Sequence, residues 1–178
     1  MGQVDPGRAD VDAMEQQPPS RGRRSRGSRG GRGRTRRVLG FAGLVAVGST
    51  IGTLIRATAE QAFPATPGDW PWTTFWINMI GSFVLGVLLE TLTRTGDDIG
   101  WRRIVRIGAG TGVIGGFTTY STYVVEVDQI VRAGHFPIAA IYAVVSLLLG
   151  VAAAGAGLAA VSAVSMVAHR APSRGHVR

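Results

Sequence analysis

The sequence has 178 residues, of which 46% are hydrophobic and 26 are glycine, and its formal net charge is +8 at pH 7. It contains no cysteine, which excludes a disulfide framework and thiolate metal sites, and all 19 basic residues are arginine. The charges lie in blocks between apolar runs of about 20 residues, the length that crosses a ~30 Å hydrocarbon layer as a helix. This distribution excludes a soluble domain and predicts an all-α integral membrane protein.

Residues 1–37 form an Arg/Gly-rich tail, which we predict to be disordered because it has too little apolar surface to offset the entropy of ordering. A twin-arginine export signal is one alternative, because Arg36 and Arg37 precede an apolar run, but three more apolar segments follow without a soluble cargo domain. An RGG-like nucleic-acid binder is another. We favour a basic arm that attracts lipid headgroups and fixes the orientation of the first span, without a nucleic-acid partner.

The remaining apolar segments predict a domain of four transmembrane helices over residues 38–168, followed by a basic C-terminal tail over residues 169–178. The four segments cover approximately residues 38–59, 72–92, 104–131 and 137–167. In the third, we expect a helix broken at Gly115 and Gly116, since adjacent glycines followed by hydroxyl residues favour unwound backbone. Membranes tolerate such backbone where protein buries it or where it lines a wet cavity.

The arginines predict the orientation of these spans. If the N-terminus is cytoplasmic, 17 of the 19 arginines lie inside, and only Arg56 and Arg132 lie toward the outer face. Basic residues are concentrated on the cytoplasmic side of membrane proteins. We therefore predict a multi-pass protein of the cell membrane with both termini in the cytoplasm.

Polar residues inside the spans are the candidate functional residues. Asn78 lies in the second span, and Tyr142, Ser146 and Gly150 recur every four residues in the fourth, so they share one helix face. Each of them has a structural alternative, because amides, hydroxyls and glycines also mediate ordinary packing between helices in lipid.

The third span carries a denser set of polar groups. Tyr120 and Tyr123, spaced by three, direct ring edges or faces into one region, with Thr119 and Thr122 on a neighbouring stripe. Carbonyls freed at a helix break suit a cation, whereas hydroxyls and the positive edges of aromatic rings suit an anion. A small, strongly hydrated anion needs such a dense replacement of its water.

Residues 115–123, Gly-Gly-Phe-Thr-Thr-Tyr-Ser-Thr-Tyr, resemble the signature Gly-Gly-Phe-Thr-Thr-Phe-Ser-Thr-Phe of the CrcB/Fluc family of fluoride channels. Three weaker motifs follow the same family order: Gly48 through Gly52 to Arg56, Asn78-Met-Ile-Gly81-Ser-Phe83, and Glu126 after the signature. The resemblance covers approximately residues 39–167 and excludes the N-terminal tail.

The resemblance implies a passive, fluoride-selective channel, not an enzyme, which exports fluoride and so prevents its toxicity. It implies an antiparallel dual-topology dimer with two pores and a central structural Na⁺ at the dimer interface, held by main-chain carbonyls of Gly115 and Thr118. The implied fluoride pathway comprises Asn78, Tyr120, Ser121, Thr122, Tyr123, Tyr142 and Ser146. Arg56 and Glu126 are the implied vestibule residues.

Two features depart from the family pattern. Tyr120 and Tyr123 replace both phenylalanines of the signature, and Ser49 stands where a second glycine is common. In addition, the strong arginine bias opposes insertion in both orientations, as a dual-topology homodimer requires. We therefore expect this chain to pair with a homologous subunit of opposite orientation in a heterodimer.

Two other functions compete with this interpretation. A small four-span proton-coupled exporter typically needs a carboxylate deep in a span, and the candidates here are Glu90 and Glu126, near span ends. A non-conducting partner subunit of a heterodimeric fluoride channel is the other. No nucleophile–base constellation supports an enzyme, because His135, His169 and His176 lie at span ends or in the tail.

Overall fold

The computed structural model describes the backbone of residues 29–66 and 68–170, and the side chains of residues 35–66 and 68–166. The compact unit considered below begins at Arg36. Most of the predicted N-terminal tail, residues 1–28, lies outside the described residues, as do residues 171–178 of the predicted C-terminal tail.

Every regular element of the described chain is a helix. In chain order the elements are α1 (Arg29–Ala62), α2 (Trp72–Thr95), α3 (Trp101–Val105), a π-helical segment (Arg106–Ile114), α4 (Gly115–Phe117), α5 (Ser121–Arg132) and α6 (Phe136–Arg170). Three stretches are long and apolar enough to cross a membrane: Thr35–Ala62, Trp72–Thr95 and Phe136–Met166. The prediction of an all-α, multi-pass membrane protein is thus confirmed.

Helix α1 begins earlier than the sequence suggested. The predicted disordered tail extends to Arg37, whereas α1 already starts at Arg29. This flank includes Gly30, Gly31 and Gly33, which are poor helix formers, so its helical extension depends on the apolar helix that follows it. Helix α2 similarly extends beyond residue 92 and ends at Thr95. The next residue, Gly96, has a φ of 125°, which is incompatible with a helix.

The third apolar segment is interrupted, but not at the predicted residues. Gly115 and Gly116 are helical, and the backbone becomes extended at Thr118, with φ −75° and ψ 152°. The expected break at the glycine pair is therefore wrong by a few residues. Gly116 serves close packing instead, because a Cβ there would lie 2.4 Å from the Ser49 carbonyl oxygen of α1.

Glycines bring α1 against the π-helical segment along a line of direct backbone contact. A Cβ on Gly48 would lie 2.7 Å from the Gly108 carbonyl oxygen, and one on Gly52 only 2.0 Å from that of Val113. Small residues permit such close approach between membrane helices. This packing determines where the residues after the π-helical segment lie.

Helices α2 and α6 pack along much of their length. They run in the same direction, because Gly150 contacts Met79 and, further along both helices, Ser162 bonds Glu90. Gly86 packs against the Ala154 carbonyl oxygen, which a Cβ would approach to 2.2 Å, and Gly157 packs equally closely against that of Phe83. The buried core lies toward the N-terminal ends of α2 and α6. It consists of Phe75, Met79, Ile130, Ala139 and Tyr142.

Candidate functional site

The Asn78 side chain holds the interrupted backbone of the third segment. Its Nδ2 donates to the Thr119 carbonyl oxygen at 3.0 Å, and the Thr119 N–H donates to its Oδ1 at 2.9 Å. One amide therefore satisfies both backbone groups of a residue that has left the helix. An unpaired backbone N–H or C=O group in hydrocarbon costs on the order of several kcal/mol, and the Asn78 amide avoids this cost at Thr119.

This arrangement diverts the donors that would otherwise bond two carbonyls. In an uninterrupted helix the Thr119 N–H would bond the carbonyl of Gly115, and the Thr122 N–H that of Thr118. The Thr122 N–H donates instead to Thr119 Oγ1 at 3.1 Å. Both carbonyls therefore lose the backbone donor that an uninterrupted helix would give them. Both are thus chemically suited to a hard cation, which takes oxygen ligands.

Three hydroxyls cluster at the start of α5. Thr119 Oγ1 donates to Thr122 Oγ1 at 3.0 Å and lies 3.3 Å from Ser121 Oγ. Hydroxyl protons rotate to suit their partners, so this cluster can reorient donors toward an anion. Arg56 reaches the same cluster from α1, because its Nη1 lies 3.4 Å from Thr122 Oγ1 while also pairing with Glu60 at 3.1 Å.

A cleft of about 530 Å³ opens between α2, the interrupted backbone and α6. Its polar lining includes Asn78, Ser82, Thr119 and Ser146, together with the aromatic residues Tyr120 and Tyr123. Ser146 is only 7% exposed, and within the described residues its hydroxyl has no hydrogen-bond partner. A buried hydroxyl without a partner is unfavourable unless something in the cleft bonds it.

The two tyrosines in the cleft are held differently. Their ring centroids lie 5.9 Å apart, so they form one aromatic pair, as predicted. The Tyr123 hydroxyl donates to the Ala143 carbonyl oxygen of α6 at 2.8 Å, whereas Tyr120 is 78% exposed. The hydroxyl that a phenylalanine would lack therefore fixes the Tyr123 ring by a hydrogen bond, whereas no such bond holds the Tyr120 ring among the described residues.

Glu126 lies in a buried polar cluster beneath the cleft. Its carboxylate accepts hydrogen bonds from Thr74 Oγ1 at 2.6 Å and from the Tyr142 hydroxyl at 2.9 Å. Sequence reasoning did not identify Thr74, which is 1% exposed. The signal was its spacing of four residues from Asn78, which places both residues on one face of α2.

The structure brings together only part of the predicted fluoride pathway. Asn78, Tyr120, Tyr123 and Ser146 line one cleft, and Ser121 and Thr122 join it through the Thr119 hydroxyl. Tyr142 shares a helix face with Ser146, but it is fully buried in the core and does not line the cleft. The predicted vestibule residues Arg56 and Glu126 lie on α1 and α5 respectively, outside the cleft lining.

Comparison with known proteins adds a family likeness. Residues 43–158 match the family model described as "CrcB-like protein, Camphor Resistance (CrcB)". A Cutibacterium acnes protein named "Fluoride-specific ion channel FluC 1" is 44% identical over 122 residues, which is 68% of this chain and 85% of that protein. "Fluoride-specific ion channel FluC 2" of Leifsonia xyli is 47% identical over 116 residues, 65% of this chain and 79% of the relative.

Proposed function

This chain belongs to the CrcB-like family, and on that premise we propose that it forms a fluoride-selective, passive ion channel of the cell membrane. The cleft is the observation that carries the proposal. It combines the Asn78 amide, a hydroxyl cluster, an aromatic pair and the unpartnered Ser146 hydroxyl in one place. These are donors without a fixed positive charge, which suit an anion that must leave again.

Fluoride takes hydrogen bonds from these groups in place of its water. The Ser121 and Thr122 hydroxyls and the positive ring edges of Tyr120 and Tyr123 lie around the interrupted backbone, and Ser146 continues the path along α6. Conduction requires binding that is favourable enough for entry and weak enough for exit. Neutral donors meet that requirement better than a guanidinium. The Arg56 guanidinium pairs with Glu60 and contacts the hydroxyl cluster only at Thr122, outside the cleft lining.

A structural Na⁺ belongs to the same proposal. The carbonyls of Gly115 and Thr118 would hold it, since their usual backbone donors are diverted to Asn78 and Thr119. The cation would supply a fixed positive charge next to the anion pathway. Gly115 is exposed, so its carbonyl can be shared with a second subunit at a dimer interface.

The parallel course of α2 and α6 supports four spans. Thr74 and Tyr142, near the start of each helix, meet at Glu126, and Glu90 and Ser162, near the other end, bond each other at 3.0 Å. Two parallel spans require the chain to cross back between them. Residues 101–132 would make this crossing.

Assembly and orientation complete the proposal. The positive-inside bias places both termini in the cytoplasm, and a homologous subunit of opposite orientation completes an antiparallel dimer. Fluoride leaves the cell through the pores, driven by the inside-negative potential. In this arrangement each subunit has a fixed orientation, which the bias of the arginines favours over dual insertion.

One observation favours a second function. Glu126 is a buried carboxylate that pairs with no arginine among the described residues, the kind of group that a proton-coupled exporter uses. An exporter would require a proton gradient for transport, whereas a channel requires only the gradient of fluoride itself. This difference separates the two functions in one assay.

The experiment is fluoride efflux from proteoliposomes that contain this chain alone, or this chain with a homologous neighbour, with chloride as the control anion. We expect fluoride-selective efflux without a pH gradient, and with the partner required. Efflux from the single chain would retain the channel and overturn the heterodimer. Transport only with a pH gradient would replace the channel by the exporter. If deletion of the partner but not of this chain abolishes fluoride resistance in cells, this chain is a non-conducting subunit.

A further inference from the structure

A second cavity lies at the connection between α2 and α3, away from the cleft. It has a volume of about 360 Å³, and its walls include Leu89, Leu92, Asp97, Arg102 and Arg106. Leu89 and Leu92 belong to the last turns of α2, so the apolar wall continues into charged residues at the end of a membrane helix. This is the depth at which phospholipid headgroups meet the hydrocarbon.

The Arg102 side chain is held in place on two sides. Its guanidinium lies 5.4 Å from the centre of the Trp101 ring, and its carbon would be 3.2 Å from a Cβ on Gly96. A Cβ at residue 96 would crowd the guanidinium, and Gly96 also has a φ of 125°, which side chains rarely adopt. Within the described residues the buried Arg102 Nε has no hydrogen-bond partner.

The cavity contains one unpaired charge of each sign. Arg106 is neutralised by Asp98, which accepts hydrogen bonds from Nε at 3.0 Å and from Nη2. Arg102 and Asp97 form no ion pair within the described part of the chain. Both acidic residues face the cavity, so a purely anionic ligand would meet an unneutralised carboxylate as well as a guanidinium.

The surface around the cavity is apolar. Ile99, Trp101 and Ile104 are 66%, 57% and 51% exposed, respectively, on the same connection. Tryptophan and arginine are favoured at the membrane interface, where a ring or an aliphatic stem lies in the lipid and a polar end in water. A lipid at this position would contact these side chains with its acyl chains.

We propose that this cavity binds the headgroup of a zwitterionic phospholipid that carries a primary ammonium, of the phosphatidylethanolamine class. Arg102 binds the phosphate, because a guanidinium presents two parallel N–H donors to phosphate oxygens. Asp97 accepts from the ammonium, and Leu89 and Leu92 contact the first carbons below the headgroup. The site is independent of ion conduction through the cleft.

Native mass spectrometry of the purified protein tests the assignment, with phosphatidylethanolamine, phosphatidylcholine and phosphatidylglycerol of identical acyl chains. We expect the ethanolamine lipid to bind tightest, because choline cannot donate a hydrogen bond to Asp97 and glycerol carries no cation. Arg102→Gln should weaken its binding about tenfold or more. Asp97→Ala removes the acceptor for the ammonium and should lower binding of the ethanolamine lipid to that of the choline lipid.

Arg132→Gln is the matched control. Arg132 is also an interfacial arginine, but it is exposed and paired with Asp128 at 2.6 Å, so its loss should leave lipid binding unchanged. Equal binding of all three lipids, or equal effects of the Arg102 and Arg132 variants, would overturn the proposal. A preference for phosphatidylglycerol would do the same. Since Asp97 is exposed, its variant remains informative even if Arg102→Gln fails to fold.

Discussion

At each end of the parallel pair α2 and α6, one carboxylate forms hydrogen bonds between helices. The two carboxylates differ in the groups that bond them. At the end near the cleft, Glu126 of α5 is 9% exposed and is held by hydroxyls of Thr74 and Tyr142. No arginine is among the groups that bond it in the described chain.

At the other end, Glu90 is held by a cation. Arg94 Nε donates to its Oε1 at 2.6 Å, and Ser162 of α6 bonds both residues at 3.0 Å and 2.7 Å. The Glu90 and Arg94 side chains are 20% and 40% exposed, so water screens this ion pair. A screened pair at the interface stabilises packing modestly, whereas a buried carboxylate depends on the hydrogen bonds of its neutral donors.

The largest expected effect comes from breaking the helix pair on which both ends depend. In Gly157→Ala the new Cβ would lie 2.3 Å from the Phe83 carbonyl oxygen, so α2 and α6 must separate. We expect a loss of about 3 kcal/mol of stability, measured by thermal unfolding in detergent. Gly155→Ala, whose Cβ would meet no atom within 4 Å, should unfold at the temperature of the unmodified protein.

Removing the buried carboxylate should rank next. Glu126→Ala leaves the Thr74 and Tyr142 hydroxyls without an acceptor, and we expect a loss of about 2 kcal/mol of stability and a clear decrease in fluoride efflux. Glu126→Gln keeps an acceptor and should recover most of the stability. If Glu126→Gln transports fluoride as slowly as Glu126→Ala, the negative charge itself is required.

The aromatic pair above Glu126 offers a smaller, more local test. Tyr123→Phe removes the hydrogen bond to Ala143 and should cost about 1 kcal/mol of stability, while changing the rate of fluoride efflux because the ring gains freedom. Tyr120→Phe removes an exposed hydroxyl and should leave the unfolding temperature unchanged. Equal shifts for the two variants would contradict the different restraint of the two rings.

The smallest effect is expected at the screened end. Glu90→Gln should lower the unfolding temperature slightly at low salt, and this difference should disappear as NaCl is raised, because salt screens an exposed ion pair. Fluoride efflux should remain normal. A decrease in unfolding temperature that does not depend on salt, or impaired efflux, would contradict this difference between Glu90 and Glu126.

Part of the candidate site was predictable from residue types alone. Asn78, the hydroxyls after Phe117 and the aromatic pair are polar groups in apolar segments, and that contrast identifies them. Thr74 escaped notice because a threonine at the start of a span is common, and its spacing of four residues from Asn78 gains meaning only from its 2.6 Å bond to Glu126. The position of the break was also missed, since it depends on Asn78, 41 residues before Thr119 along the chain.

The amino-acid sequence by itself determined the helical membrane class, the apolar segments and the family likeness, because hydropathy, charge and signature motifs are local properties. The tertiary structure decided which of these polar residues meet. It moved the interruption to Thr118, placed Tyr142 in the core, left the Ser146 hydroxyl without a partner among the described residues, and diverted the Thr119 N–H from the Gly115 carbonyl to Asn78. Hydrogen bonds in hydrocarbon must be satisfied within the protein, so their pairing follows from how the helices pack and cannot be read from one segment at a time.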